Sequence, residues 1–276
     1  MSAAPFPEFP SNIAERVCSQ ASYWFPRHFM DSAWVDHAPF AFWLMDALRP
    51  RRVVELGTHN GYSLFVMAEA ARRLGLETRI TALDSWEGDD QAGRYGEDVY
   101  AGVQQVATEY PGMIELIRGY FSDSAPRIDE GTVDLIHIDG RHGYEDVRED
   151  FELYLPKLSP RGVVIFHDTH EFQEGFGVHR FWDEIAATAP SFTFHHGHGL
   201  GVLAPNPEAP AAILDFLEAA NEEPDAVRAG YERLGAEVAL RYGAETSRLQ
   251  REVDDLRSST SWRVTAPLRA LRDLLP

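Results

Sequence analysis

The sequence predicts an α/β protein: a mostly parallel sheet with helices on both faces, a terminal antiparallel hairpin and a helical C-terminal tail. Three observations predict it. Short apolar runs recur along the first 205 residues: "RRVVELG", "TRITALD", "MIELIRG", "TVDLIHID" and "GVVIFHD". Helix-period segments lie between them, and continuous apolar strands spaced by helices belong to a parallel sheet covered on both sides. Finally "SFTFHHG" and "LGVLAP" stand apart by only a Gly/His turn, as an antiparallel pair does.

The elements follow in order. The Pro-rich start reads as a loose segment, 1–29, with neither the basic nor the apolar stretch of a signal peptide. "WVDHAPFAFWLMDALRP" reads as a helix that stops at Pro50 and packs onto the domain that follows. After the first strand, "SLFVMAEAARRLGL" is an amphipathic helix ending near a glycine. Further helical segments are expected over about 98–110 and 144–155, with a short turn near Ser124. The main domain spans 30–205. An acidic helical extension, 206–245, comes next, and then a basic amphipathic tail, 246–276. In that tail Arg248, Arg251, Arg257, Arg263, Arg269 and Arg272 accompany Leu249, Val253 and Leu256, then Val264, Leu268 and Leu271, at helical spacing.

Composition excludes several classes. The net charge is -19, and an acidic surface repels phosphate backbones, so nucleic acid is not an expected partner. A single cysteine, Cys18, permits no internal disulfide and no cysteine-rich zinc site. No apolar run reaches the roughly 20 residues needed to span a bilayer. The expected location is the cytoplasm.

The ends of the strands carry the chemistry. "VVELGTHNGYS" places Glu55, Gly57 and Gly61 where the first strand turns into its helix. Ligands of open α/β sheets bind at such ends, and glycine lets backbone approach them. The spacing is G-x-x-x-G, with His59 where a dinucleotide fingerprint has its middle glycine. That suits a cofactor without a phosphate, S-adenosylmethionine. Asp84, ending the second strand, can accept from ribose hydroxyls, and Phe121 and Ser122 stand where an adenine could stack and bond. Two further strands end in "DLIHIDGRHGYEDV" and "VIFHDTH". Asp139, His167 and Asp168 there could ligate a divalent cation, and His142 follows one turn after Asp139. His137 reads as a core residue. "HHGHG" at 195–199 reads as a turn or a substrate rim. In "SWEGDDQAGRYGEDVY", Trp86 and Tyr95 could stack on a sugar and Arg94 could meet an anion; a lid over the cofactor fits equally, and the plain alternative is a disordered acidic loop.

On these motifs, together with "FGVHRFW", the chain over about 30–205 resembles class I S-adenosylmethionine-dependent methyltransferases. More narrowly it resembles the metal-dependent sugar O-methyltransferases of macrolide, aminocoumarin and surface-glycan biosynthesis, relatives of which are often labelled cephalosporin hydroxylase. The resemblance implies a Rossmann-like seven-stranded sheet. It implies cofactor contacts from Glu55, Gly57, Thr58, Gly61, Ser63, Asp84, Ser85, Phe121, Ser122 and Asp139. It implies a metal on Asp139, His167 and Asp168 and catalysis by Asp139 with His142 as the base. Beside it, Trp86, Arg94, Tyr95 and His170 are candidate substrate contacts read from the residues themselves, with His170 reading as a supporting or surface residue before a ligand. Several relatives carry glutamate in place of His167. Oxygen ligands favour Mg²⁺, whereas an imidazole admits Mn²⁺, Fe²⁺ or Zn²⁺, and His167 is either a ligand or a hydrogen-bonding neighbour.

The implied reaction is methyl transfer to a sugar hydroxyl of a glycan or glycosylated metabolite. The metal would align and acidify the hydroxyl and a neutral imidazole would take its proton. Two other readings stand beside it: a non-heme-iron or nicotinamide oxidoreductase, and a non-catalytic partner in a polysaccharide-assembly complex. The second comes from "SSTSWRVTAPLRALR", which resembles a terminal segment of bacterial polysaccharide glycosyltransferases and their partners. Such a tail suits a glycosyltransferase, the inner membrane face, or self-association into a homo-oligomer.

Overall fold

A computed structural model describes residues 6, 8–88 and 93–265. Seven strands form one sheet: β1 Arg52–Leu56, β2 Arg79–Asp84, β3 Ile114–Arg118, β4 Val133–Ile138, β5 Leu158–His167, β6 Ser191–Phe194 and β7 Leu200–Leu203. Their order is β3-β2-β1-β4-β5-β7-β6. The first five are parallel; β7 runs antiparallel to both β5 and β6. The expected Rossmann-like architecture is therefore the one observed. Strand order reverses between β1 and β4, and a crevice opens at such a reversal, outside the carboxyl ends of the strands.

Period-two alternation sends side chains into two cores. Val53, Leu135, Val163 and Ile165 face one layer. It contains α2 (Ala38–Leu48), α3 (Tyr62–Arg73), α8 (Ala211–Glu222) and α9 (Pro224–Ser258). Val54, Leu56, Ile136, Ile138, Val164 and Phe166 face the other, built on α6 (Tyr144–Tyr154) and α7 (Val178–Ala186). The remaining α-helices are α4 (Glu97–Ala107) and the short α1 (Ala14–Val17), α5 (Phe121–Ser124) and α10 (Thr260–Val264).

The N-terminal segment departs from expectation. Its described residues are packed, not loose. Phe9, Ile13 and Val17 are buried, and Arg16 reaches Asp215, Glu218 and Glu222 of α8 at 2.6, 2.8 and 2.9 Å. The reason is apolar area: burying three such side chains is worth about 1.5–3 kcal/mol each, which outweighs the looseness that prolines confer. On α9, Gly230 makes room for the Phe9 ring; a β-carbon there would strike it. The expected boundary at 245/246 is absent too, since α9 crosses it without a break. Leu268, Leu271, Arg269 and Arg272 lie outside the described residues, as do residues 89–92 of the acidic loop. Among the described residues no helix is long and apolar enough to cross a membrane.

Candidate active site

One cavity of about 770 Å³ lies at the crevice predicted by the strand order. Its two ends are built differently.

At the first end, backbone does most of the shaping. Beyond β1, Gly57 adopts φ +91° and its N–H donates to the Leu83 carbonyl at 2.9 Å. A β-carbon on Gly57 would fall on the Asp139 carbonyl oxygen, so only glycine lets the loop pass beneath the end of β4. Gly61, at φ +81°, opens α3. The Asp84 carboxylate ties the loop down: one oxygen accepts from the Thr58 and His59 amides at 3.0 and 2.8 Å, the other from the Trp86 amide at 2.6 Å. Tyr95 Oη donates to it at 3.4 Å and its ring lies 4.6 Å from that of His59. Gly119, Phe121 and Ser122 close this end from β3.

At the second end, ionised side chains do the shaping. His167 Nδ1 lies 3.2 Å from Asp139 Oδ1 and 3.4 Å from Asp168 Oδ2. Its Nε2 donates to the Gly197 carbonyl at 2.9 Å. A carbonyl only accepts, and so does an ionised carboxylate, so both ring nitrogens carry protons and His167 is an imidazolium. Burial pushes its pKa down, but the two carboxylates outweigh burial and hold it well above the ordinary value. The reciprocal holds for its partners. Burial would raise Asp139 and Asp168, yet His167 keeps both below the usual carboxylate range, with His142 adding to the effect on Asp168. His142 Nε2 lies 2.9 Å from Asp168 Oδ2, and its ring stacks on Phe176 at 4.8 Å. Asp168 sits at φ +59°, a strained conformation for a non-glycine residue. Asp139, His142 and Asp168 each offer one ligand atom, all within 4.8 Å of one another. Two ionised oxygens and an imidazole form a donor set that fits a divalent cation.

A further histidine stands behind this cluster. His37 Nε2 donates to the same Gly197 carbonyl at 3.0 Å. Burial holds its pKa well below the ordinary value, and the neighbouring His167 adds to this. Gly197, at φ +55°, brings that carbonyl between the two rings. The "HHGHG" stretch is thus a turn whose backbone reaches the site.

Most of the predicted residues line this one cavity: Gly57, Thr58, Ser63, Asp84, Ser85, Arg94, Tyr95, Phe121, Ser122, Asp139, His142, His167 and Asp168. Four are placed elsewhere. Glu55 is wholly buried beneath the floor, accepting from Ser63 Oγ at 2.6 Å and facing His137 Nδ1 at 3.1 Å. Gly61 shapes the loop without lining the cavity. Trp86 is fully buried and donates through Nε1 to the His59 carbonyl; it braces the loop and offers no face to a sugar. His170 is exposed and stacks on His195 at 4.2 Å, outside the cavity. The cavity is also lined by residues that the sequence did not single out, among them Trp34, Asp150 and Phe176, and by His198 from the stretch expected as a turn or rim. Asp150 had a readable signal, because Asp146, Asp150 and Leu153 share one face of α6 and all line the cavity.

The geometry can be set beside known proteins. Residues 54–169 match a methyltransferase domain. The methyltransferase match runs from β1 to just past β5, so it includes the glycine loop and the whole Asp139–His142–His167–Asp168 cluster. The chain is 49% identical over 178 residues to the uncharacterized protein y4gI of Sinorhizobium fredii, covering 64% of this chain and 20% of that protein. The chain therefore spans about a fifth of that relative's length. It is 26% identical to O-methyltransferase ankF of Aspergillus thermomutatus, over 61% of this chain and 72% of that one. It is also 26% identical to the 8-demethyl-8-(2,3-dimethoxy-alpha-L-rhamnosyl)-tetracenomycin-C 4'-O-methyltransferase of Streptomyces olivaceus, over 51% of this chain and 69% of that one. Among solved structures, the O-methyltransferase from Bacillus cereus in complex with SAH covers 65% of this chain and 84% of its own, at 18% identity and a TM-score of 0.48.

Proposed function

We propose that the chain is an S-adenosylmethionine-dependent O-methyltransferase acting on a hydroxyl of a sugar, within a glycan or a glycosylated metabolite, with a divalent cation at Asp139 and Asp168. One observation carries this reading: a single cavity joins a glycine-shaped loop to a carboxylate–imidazole cluster. The methyltransferase match over the same residues and the sugar named in one relative support it.

In this reading the loop at Gly57 and Thr58, with Asp84 and Ser85, receives the cofactor, and Phe121 and Ser122 flank its base. The Asp84 carboxylate accepts from three loop amides and from the Tyr95 hydroxyl, which fills the about four acceptor sites of an ionised carboxylate. A ribose hydroxyl would therefore take the place of the Tyr95 contact, the longest of the four at 3.4 Å. The methyl group would face the cluster. The cation would be held by the Asp139 and Asp168 carboxylates, with His142, the imidazole grouped with them, left to act as base, and when bound it would fix the acceptor hydroxyl and lower its pKa. His142 would take the hydroxyl proton, and the Asp168 carboxylate beside its Nε2 would stabilise the imidazolium that forms. His167 would serve as the third ligand once its Nδ1 proton is given up, or, with the proton kept, as the cation that holds the two carboxylates in place.

The test is methyl transfer from S-adenosylmethionine to a panel of nucleotide-linked, lipid-linked and free glycosides, followed by mass spectrometry. The expected result is a gain of one methyl on a sugar oxygen, lost on chelation and restored by Mg²⁺ or Mn²⁺. Methylation that survives exhaustive chelation would remove the cation from this reading. Failure to bind S-adenosylhomocysteine in calorimetry would remove the cofactor.

A further inference from the structure

Helix α9 is 35 residues long, and the body of the protein covers only part of it. Val227, Tyr231, Leu234 and Val238 are buried, and Tyr242 stacks on Phe29. From 243 to 258 the helix runs on for roughly 24 Å at 1.5 Å per residue. Its apolar stripe does not stop. Leu249, Val253 and Leu256 are 48, 38 and 62% exposed. At 100° per residue, Leu249 has the same azimuth as Tyr231. Among the described residues, the stripe that docks the first half of the helix therefore continues uncovered along the second half.

We infer that 243–258 pairs with the same segment of a second copy of this chain, as a short parallel coiled coil. The spacing places Leu249 and Leu256 at one seam position and Val253 at the other, the arrangement of β-branched and leucine residues that favours two parallel strands. The flanking charges agree. In a parallel pair Glu252 faces Arg257 of the second copy, twice by symmetry, and Glu245 faces Gln250. In an antiparallel pair Glu245 would face Glu252, which is repulsive. At present Glu252 pairs with Arg248 of its own helix at 2.6 Å, and an exchange between exposed ion pairs costs little. An anionic membrane is a poorer occupant. The segment holds Arg248, Arg251 and Arg257 against Glu245, Glu252, Asp254 and Asp255, without the cationic excess that lipid-surface helices carry.

Two heptads make a weak coil, so association is expected in the micromolar range, on the order of 10 µM. Sedimentation of the full chain over about 1 to 100 µM should show a concentration-dependent rise towards twice the 31.1 kDa chain mass. Leu249→Asp with Leu256→Asp should abolish the rise, with S-adenosylhomocysteine affinity and melting temperature unchanged. Val253→Cys should form an intermolecular disulfide under mild oxidation, because seam cysteines meet in a parallel, in-register pair. Wild-type chain, whose single Cys18 is buried, is the control. A monomer throughout, a dimer that persists in the double variant, or loss of dimerisation in favour of sedimentation with anionic vesicles would each overturn the inference.

Discussion

The two ends of the cavity solve the same problem with different materials. The loop end is held by backbone: Gly57, Gly61 and the amides of Thr58, His59 and Trp86, all gathered on the Asp84 carboxylate. The cluster end is held by charge: an imidazolium between two carboxylates, fixed from behind by the Gly197 carbonyl. A backbone cradle tolerates no added atom, whereas a charge cluster loses its chemistry when one member is removed. Variants at the two ends should therefore fail in different ways.

The largest effect is expected at Gly57. Alanine there must hold φ near +91°, worth about 1–3 kcal/mol of strain, and its β-carbon would fall on the Asp139 carbonyl. Gly57→Ala should lose S-adenosylhomocysteine binding in calorimetry and melt several degrees lower in scanning calorimetry. Retained affinity would mean that the loop end is not backbone-limited. Next comes Asp168→Ala. It should lower turnover by about 10²–10⁴-fold, as removal of a base's partner or a metal ligand does, while cofactor affinity changes by less than about 3-fold (under 0.7 kcal/mol). A matching loss of affinity would mean that the two ends act as one unit.

This division also marks what the sequence made legible. The five parallel strands and the loop were readable because apolar runs, glycine spacing and strand-end charges are local signals. The roles of individual side chains were less so. Trp86 reads the same whether it stacks on a sugar or braces a loop, and only its burial decides. His167 meets a carbonyl thirty residues away on the β6–β7 turn, and His37 reaches the same atom from the start of α2. No spacing rule links those three positions. The N-terminal segment was misread for a similar reason: Arg16 finds its partners about two hundred residues later, on α8. The carboxylate at Asp150 was legible in principle, from the helical spacing with Asp146.

Gly197 tests whether the cluster end also depends on backbone. A β-carbon there would lie 2.8 Å from His37 Nε2, so Gly197→Ala should shift the carbonyl that holds His167. A loss of about 10-fold in kcat, with KM for the cofactor unchanged, is the expected split. An equal loss in both would place the defect at the loop end instead.

The smallest effect is a pH dependence at Asp150, which lines the cavity from α6. Burial, then Asp146 and Glu149, push its carboxyl up to about 7. Below about pH 4 the group is protonated in both folded and unfolded chains and contributes no difference. Between about 4 and 7 the folded chain keeps a proton that the unfolded chain has released, so stability falls as pH rises. Above about 7 the loss is complete and the curve levels. Asp150→Asn removes the ionisable group, so the variant should match wild type near pH 4 and melt about 2–5 °C higher at pH 8, a gain kept small by the solvent that reaches an open cavity. The sign differs from that at Asp139 and Asp168, which His167 keeps ionised in the fold. An unchanged slope in Asp150→Asn would remove α6 as the origin of this limb; Asp139 and Asp168 could not supply it either, because their contribution is lost towards acid and not towards base.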